Sequence, residues 1–210
     1  MDKRTEFLSG LNTPRAVALV KGGVLISEPP ILWYCQDTDG DLKADKKTEA
    51  HHGYASQGPV EHTENGLMPG LDNWLYSAKS AKRLKFVDGK VVVENTVFRG
   101  QWGIAQDNYG RLYYNSNSAP LFCDAIPGVY TVRNPHHPTR NGLGFRLWGD
   151  SGVWTGRLNT GINRGYQNGM LREGRLARWT GASGPMIYRG DQYPAELEGD
   201  AFIPEPCGNM

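Results

Sequence analysis

Three groups of side chains in this sequence have types and spacings that suit chemistry. The stretch QDTDGDLKAD, Gln36 to Asp45, spaces Asp37, Asp39, Asp41 and Asp45 as D-x-D-x-D-x-x-x-D. Alternating carboxylates on a tight loop suit a hard cation that takes many oxygen ligands, and Gly40 permits the turn. The loop is not an EF-hand, because Leu42 stands where that loop needs glycine and Thr48 where it needs a bidentate Glu. The same four acids also suit a solvated hairpin tip, although so many carboxylates this close repel one another unless something neutralises them. Calcium is the cation this spacing predicts.

The second group is EHTENGLMPGLDNWLY, Glu61 to Tyr76, in which His62 precedes a glycine turn and the strand-like Trp74 to Tyr76. A histidine entering a strand from a loop can act as a general base near neutral pH, with Glu61 or Glu64 to orient it. A structural histidine is the alternative. The third group is Arg99 at the head of RGQWGIAQDNYGRLYYN, again loop into strand, where a guanidinium can grip a carboxylate with two prongs. Its alternative is a surface arginine. His62 and Arg99 gain weight from holding the same place in neighbouring repeat units.

Those units consist of a turn followed by a short apolar strand. KGGVLISEP, GLDNWLYSAKSA, AQDNYGRLYYNSNSA and LEGDAFIPEP share that form, with Gly, Asp or Asn supplying the turn. The middle two agree in detail: Asp72-Asn73 precedes Leu75-Tyr76, Asp107-Asn108 precedes Leu112-Tyr113, and each runs into Ser-Ala. Strand-built units of about 40 to 50 residues are the mark of a β-propeller, whose blades are four-stranded sheets. RLKFVDGKVVVEN predicts a hairpin about Asp88-Gly89, and RLARWTG and GPMIYRGD read as further strands. Helical periodicity is weak, the one arguable stretch, Thr5 to Lys21, being broken by Pro14.

The expected fold class is therefore all-β, a single propeller-type domain over residues 1–210. About four blades of a six-bladed ring fit this length, incomplete at both ends. Residues 121–169 read as a long loop-rich insertion, and such loops are usually functional. Arg157, Asn163, Arg164 and Tyr166 lie there as a candidate binding surface, and His136-His137 as a solvated tip between prolines.

Composition narrows the classes. The 23 Lys and Arg against 22 Asp and Glu leave a net charge of +1, so no global field draws the chain to nucleic acid. No apolar run is long enough for a membrane span or an export signal. Cys35, Cys123 and Cys207 have neither metal-site nor haem spacing and read as small buried fillers.

Four segments carry a resemblance to a known family: NTPRAVALVKGGVLISEPPILWYCQDTDGDLKAD, QGPVEHTENGLMPGLDNWLY, FRGQWGIAQDNYGRLYYNSNSAP and SGPMIYRGDQYPAELEGDAFIPEPCGN. Through nearly the whole chain the sequence resembles the β-propeller domain of large bacterial proteins described as membrane-bound dehydrogenases. More distantly it is similar to the soluble quinoprotein glucose and sorbosone dehydrogenases, six-bladed propellers that hold pyrroloquinoline quinone (PQQ) and calcium. The resemblance implies oxidation of a sugar or alcohol, with His62 taking the hydroxyl proton and Arg99 contacting the quinone, although RGQWG lacks the Asn-Pro of the related R-N-P-x-G loop. Ala119-Pro120 matches loosely a Gly-Pro whose carbonyls hold the cofactor calcium. The remaining quinone-binding basic residues are expected beyond EPCGNM.

Electrons would pass to a separate acceptor such as a c-type cytochrome domain, and the location implied is periplasmic or secreted. Two other readings use the same fold: a propeller that binds carbohydrate or protein through Arg157 to Tyr166 without catalysis, and a calcium-dependent lactonase-like hydrolase.

Overall fold

The computed structural model describes residues 4–134, 136, 142–150, 152–156, 158 and 164–208. It is all-β in character and is built from four-stranded antiparallel sheets consistent with propeller blades. The first sheet takes its strands in chain order: β1 (Val17–Val20), β2 (Gly23–Glu28), β3 (Ile31–Gln36) and β4 (Lys46–His52). The second does the same with β5 (Asn65–Pro69), β6 (Leu75–Ala78), β7 (Ser80–Val87) and β8 (Lys90–Arg99). The third comprises β9 (Ile104–Gln106), β10 (Leu112–Ser116), β11 (Ala119–Asp124) and β12 (Phe145–Arg146). A short helix, α1 (Val129–Arg133), stands between β11 and β12. Two two-stranded sheets follow, β13 (Leu171–Arg172) with β14 (Arg175–Leu176) and β15 (Met186–Ile187) with β16 (Ala201–Phe202).

Local chemistry explains these elements. Strand β3 reads ILWYCQ, a β-branched and aromatic run, and it buries Leu32, Tyr34 and Cys35. The β7–β8 turn falls on Asp88 (φ 48°) and Gly89 (φ 81°), the left-handed pair that a two-residue hairpin requires. The stretch from Thr5 to Lys21 holds no helix and contributes β1 instead. The insertion predicted from residue 121 is partly sheet: residues 121–124 complete β11, and Phe145–Arg146 returns to pair with it, Phe122 opposite Arg146.

The chain divides into two compact units, Met1–Ser77 with Lys82–Glu94, and Ala78–Ala81 with Asn95–Met210. The first has a core of Leu25, Leu32, Tyr34, Tyr54, Leu67, Leu75 and Leu84. The start of β1 lies beside β5, Ala16 bridging Gly66 in parallel, as the inner strands of successive blades would. In the second unit Tyr113, Leu121, Cys123 and Ile187 form one buried cluster, and Val153, Met170 and Leu176 another. Among the described residues no helix is long and apolar enough to cross a membrane.

Candidate functional site

His62 closes a 3-10 turn, Val60–His62, and leads through extended Thr63 into β5. Pro59 sets up the turn, its carbonyl accepting the His62 N–H at 2.8 Å. The chain after β4 is tied to the β2–β3 turn, Gly53 N–H donating to Pro30 O at 2.7 Å. Together with the Ala16–Gly66 bridge, this places His62 at the end of the first sheet that carries the β2–β3 turn. The imidazole is half-buried. Glu64, expected to orient it, has one carboxylate oxygen accepting the Ala55 backbone N–H at 2.8 Å, and Glu61 is exposed. Beside His62, Thr63 is buried, and its hydroxyl has no partner among the described residues.

Arg99 is the last residue of β8, before the link to β9, whereas His62 lies within the link from β4 to β5. His62 therefore stands between the first and second sheets, and Arg99 at the end of the second sheet's final strand. The Arg99 side chain, however, is only 2 % exposed and serves the fold. Its Nε donates to Asp124 Oδ2 at 2.6 Å, and its Nη1 donates to Val97 O at 2.8 Å and Thr96 Oγ1 at 3.2 Å. Asp124 Oδ1 in turn accepts the Tyr114 hydroxyl and the Gly144 N–H, each at 2.9 Å. Burial, then the charge of Asp124, pushes the Tyr114 phenol well above its usual range. Gly128 has no side chain for a steric reason, since a Cβ there would lie 2.5 Å from Arg99 Nη2. A guanidinium so enclosed and neutralised does not fit the holding of a carboxylated quinone. Ala119 and Pro120 open β11 and are buried as strand residues, Ala119 opposite Ser116.

In the loop from β3 to β4, Asp37, Asp39 and Asp45 bring carboxylate oxygens within 4.8 Å of one another, whereas Asp41 stands apart from that group. Asp41 accepts the Lys43 N–H and lies 3.7 Å from its ammonium. The loop is shaped by its own carboxylates. Asp37 accepts N–H bonds from Gly40 (2.6 Å), Leu42 (2.9 Å) and Asp39 (3.2 Å), and these amides, Gly40's first, hold its carboxyl below the usual range. Asp45 Oδ2 accepts from the Thr38 N–H and hydroxyl. Three converging carboxylates fit a hard cation in donor chemistry, the remaining oxygens of its usual six to eight being left to carbonyls or water. The loop lies at the far end of β3 from the β2–β3 turn, about 20 Å away for a six-residue strand. A cation in it would not meet a substrate at His62.

Of the predicted binding surface, Arg157 and Asn163 lie outside the described residues, as does His137. Arg164 is half-buried in a turn that its carbonyl closes with the Gln167 N–H, and Tyr166 is 88 % exposed. Sequence reasoning passed over a cleft of about 530 Å³ in the second unit, lined by Trp102, Gly103, Asn117, Thr180, Ser183 and Gly184 among others. The available signal was the clustering of glycine and small polar residues in RGQWG and TGASGP.

No curated protein and no solved structure matches the chain. A family model does match it, over residues 1–210, under the description "Domain of unknown function (DUF7133)". This blade-sheeted chain therefore belongs to the DUF7133 family along its whole length.

Proposed function

We propose that this domain acts on a hydroxyl group of a sugar or alcohol as the propeller part of a quinoprotein-like oxidoreductase, with His62 taking up the hydroxyl proton. The observation that carries this reading is the place of His62, half-buried in the link between two blade-like sheets. Oxidising a carbinol releases one proton and one hydride. His62 answers for the proton alone. The hydride acceptor is not assigned to Arg99, Ala119 or Pro120, which are committed to the fold; PQQ would need cations from other residues. The sequence resemblance supports a c-type cytochrome as the electron acceptor and a periplasmic or secreted location.

The test is dye reduction by the full chain with added PQQ and calcium over a panel of sugars and primary alcohols, beside His62→Gln. Turnover by the native chain, falling about a hundredfold or more in the variant at unchanged melting temperature, supports the reading, because a general base contributes about 10² to 10⁴. No turnover on any substrate, or equal rates, rejects it.

A second reading, carbohydrate binding without turnover, draws on the exposure of Tyr166. An aromatic ring left in solvent beside polar loop residues is a common sugar platform. The lactonase-like reading has less support, since the acidic loop and His62 stand at opposite ends of the first sheet.

A further inference from the structure

The cleft in the second unit has a lining of unusual composition. It is lined by Trp102 and Gly103, by Thr180, Gly181, Ser183 and Gly184, and by Asn117 and Pro206. None of these residues ionises. At about 530 Å³ it falls within the range of small-molecule sites.

Its walls are fixed from behind. Gly184 N–H donates to Trp102 O at 2.9 Å, and Ala182 N–H donates to Asn117 O at 3.1 Å. Gly103 (φ 75°) approaches Gly184 so closely that a Cβ on it would lie 2.8 Å from the Gly184 Cα. Glu205, fully buried, accepts the N–H groups of Thr180 and Gly181 on one carboxylate oxygen and that of Cys207 on the other. A ligand therefore meets a preorganised surface, which lowers the entropic cost of binding.

The chemistry of the lining selects the ligand in two steps. A charged ligand would lose water and find no ionised group in the lining, the Glu205 carboxylate behind it being engaged by three backbone N–H groups, which is costly. A wholly apolar ligand would cover the amide of Asn117 and the hydroxyl of Ser183 without pairing them, also at a cost. What satisfies both conditions is a neutral ring that carries several hydroxyls and has one apolar face for an indole.

We infer that this cleft binds a neutral saccharide, Trp102 meeting the C–H face of a sugar ring while Asn117 and Ser183 pair with its hydroxyls. The inference does not rest on the role given to His62. It places a sugar-binding site in the second unit, built from a different set of residues.

Titration calorimetry of the full chain with maltotriose, cellotriose and xylotriose, beside the anionic trigalacturonate, tests it. Saturable binding of at least one neutral trisaccharide is expected, with trigalacturonate about tenfold weaker or worse. Trp102→Ala and Asn117→Ala should each lower affinity about tenfold, while His62→Gln leaves it unchanged, so that failure of the dehydrogenase reading is seen separately. Should Trp102→Ala not fold, Trp102→Phe and Asn117→Ala carry the test. Absence of saturable binding by all three neutral sugars up to about 10 mM, equal affinity for trigalacturonate, or indifference to the cleft variants overturns the inference.

Discussion

Asp107 Oδ2 accepts the Tyr113 hydroxyl at 3.0 Å, tying the turn that begins a blade's second strand to the strand itself. The relationship recurs in the second sheet, where Asp72 Oδ2 accepts the Tyr76 hydroxyl at 2.7 Å. In both places the other oxygen of the same carboxylate turns the chain: Asp72 accepts from Trp74 N–H, and Asp107 from Tyr109 and Arg111 N–H. In both an arginine neutralises the acid, Arg83 for Asp72 and Arg111 for Asp107. The Asp-Asn repeat visible in the sequence is thus a repeated hydrogen-bonding device that sets strand entry.

The device makes Asp107 the more costly acid to lose. Asp107 is 6 % exposed and serves two backbone amides, a phenol and a guanidinium, whereas the Asp72 side chain is 43 % exposed. Asp107→Ala should cost about 2 to 4 kcal/mol, since buried partners are left unpaired, and Tyr113→Phe about 1 kcal/mol. Asp72→Ala should cost less than Asp107→Ala. Urea midpoints of the three variants decide the point, and a larger loss at Asp72 would reverse the ranking.

These cases show what the sequence made legible. A repeat of turn plus strand was readable because Asp, Asn and Gly mark turns locally, and the Asp88-Gly89 hairpin was readable for the same reason. Strand β12 was not, because two residues separated from β11 by a long connection pair only through tertiary contact. The structural task of Arg99 was likewise hidden, since its partner Asp124 lies 25 residues further on. RLARWTG promised a strand, yet only Arg175–Leu176 forms one, the following backbone turning to give Thr180 and Gly181 N–H to Glu205.

Acid should lower the stability of this protein over two pH ranges. Burial, then the charge of Lys82, lowers the pKa of His51 in β4, so the unfolded chain binds its proton more readily. That contribution to stability is complete above about pH 6.5 and declines as pH falls from there through the folded value. Burial would raise the Asp107 carboxyl, but its bonds with Arg111 outweigh this and hold it low. Its contribution is present above about pH 4 and is lost as pH falls through the depressed folded value. Urea midpoints at pH 7.5, 5.5 and 4 should fall in order, and His51→Gln should flatten the segment between 7.5 and 5.5. A variant with the native slope there would show that His51 is not the group responsible.

Calcium should stabilise the first sheet without touching the chemistry proposed for His62. If Asp37, Asp39 and Asp45 hold the ion, millimolar calcium raises the melting temperature and chelation reverses it, because a ligand bound only to the folded state adds to its stability. Asp39→Asn and Asp45→Asn should abolish the shift and Asp41→Asn should preserve it. Equal melting curves with calcium and with chelator would reduce the loop to an amide-braced hairpin tip.

The buried Arg99–Asp124 pair permits a sharper test, because a structural ion pair and a quinone-holding arginine respond differently to replacement. Arg99 and Asp124 are 2 % and 1 % exposed, so removing one partner strands the other's charge. Arg99→Ala and Asp124→Ala should each destabilise by about 3 to 5 kcal/mol. The double replacement Arg99→Met with Asp124→Leu removes both charges and keeps apolar volume in place. It should recover much of that loss, although Tyr114 and Gly144 still lose an acceptor. An arginine kept for an anionic cofactor predicts the opposite pattern: Arg99→Ala would leave stability near native and weaken PQQ binding, and removing Asp124 would leave Arg99 free to bind. Denaturant unfolding of the three variants, read beside PQQ titration, separates the two outcomes, and a near-native midpoint for Arg99→Ala would return Arg99 to the cofactor.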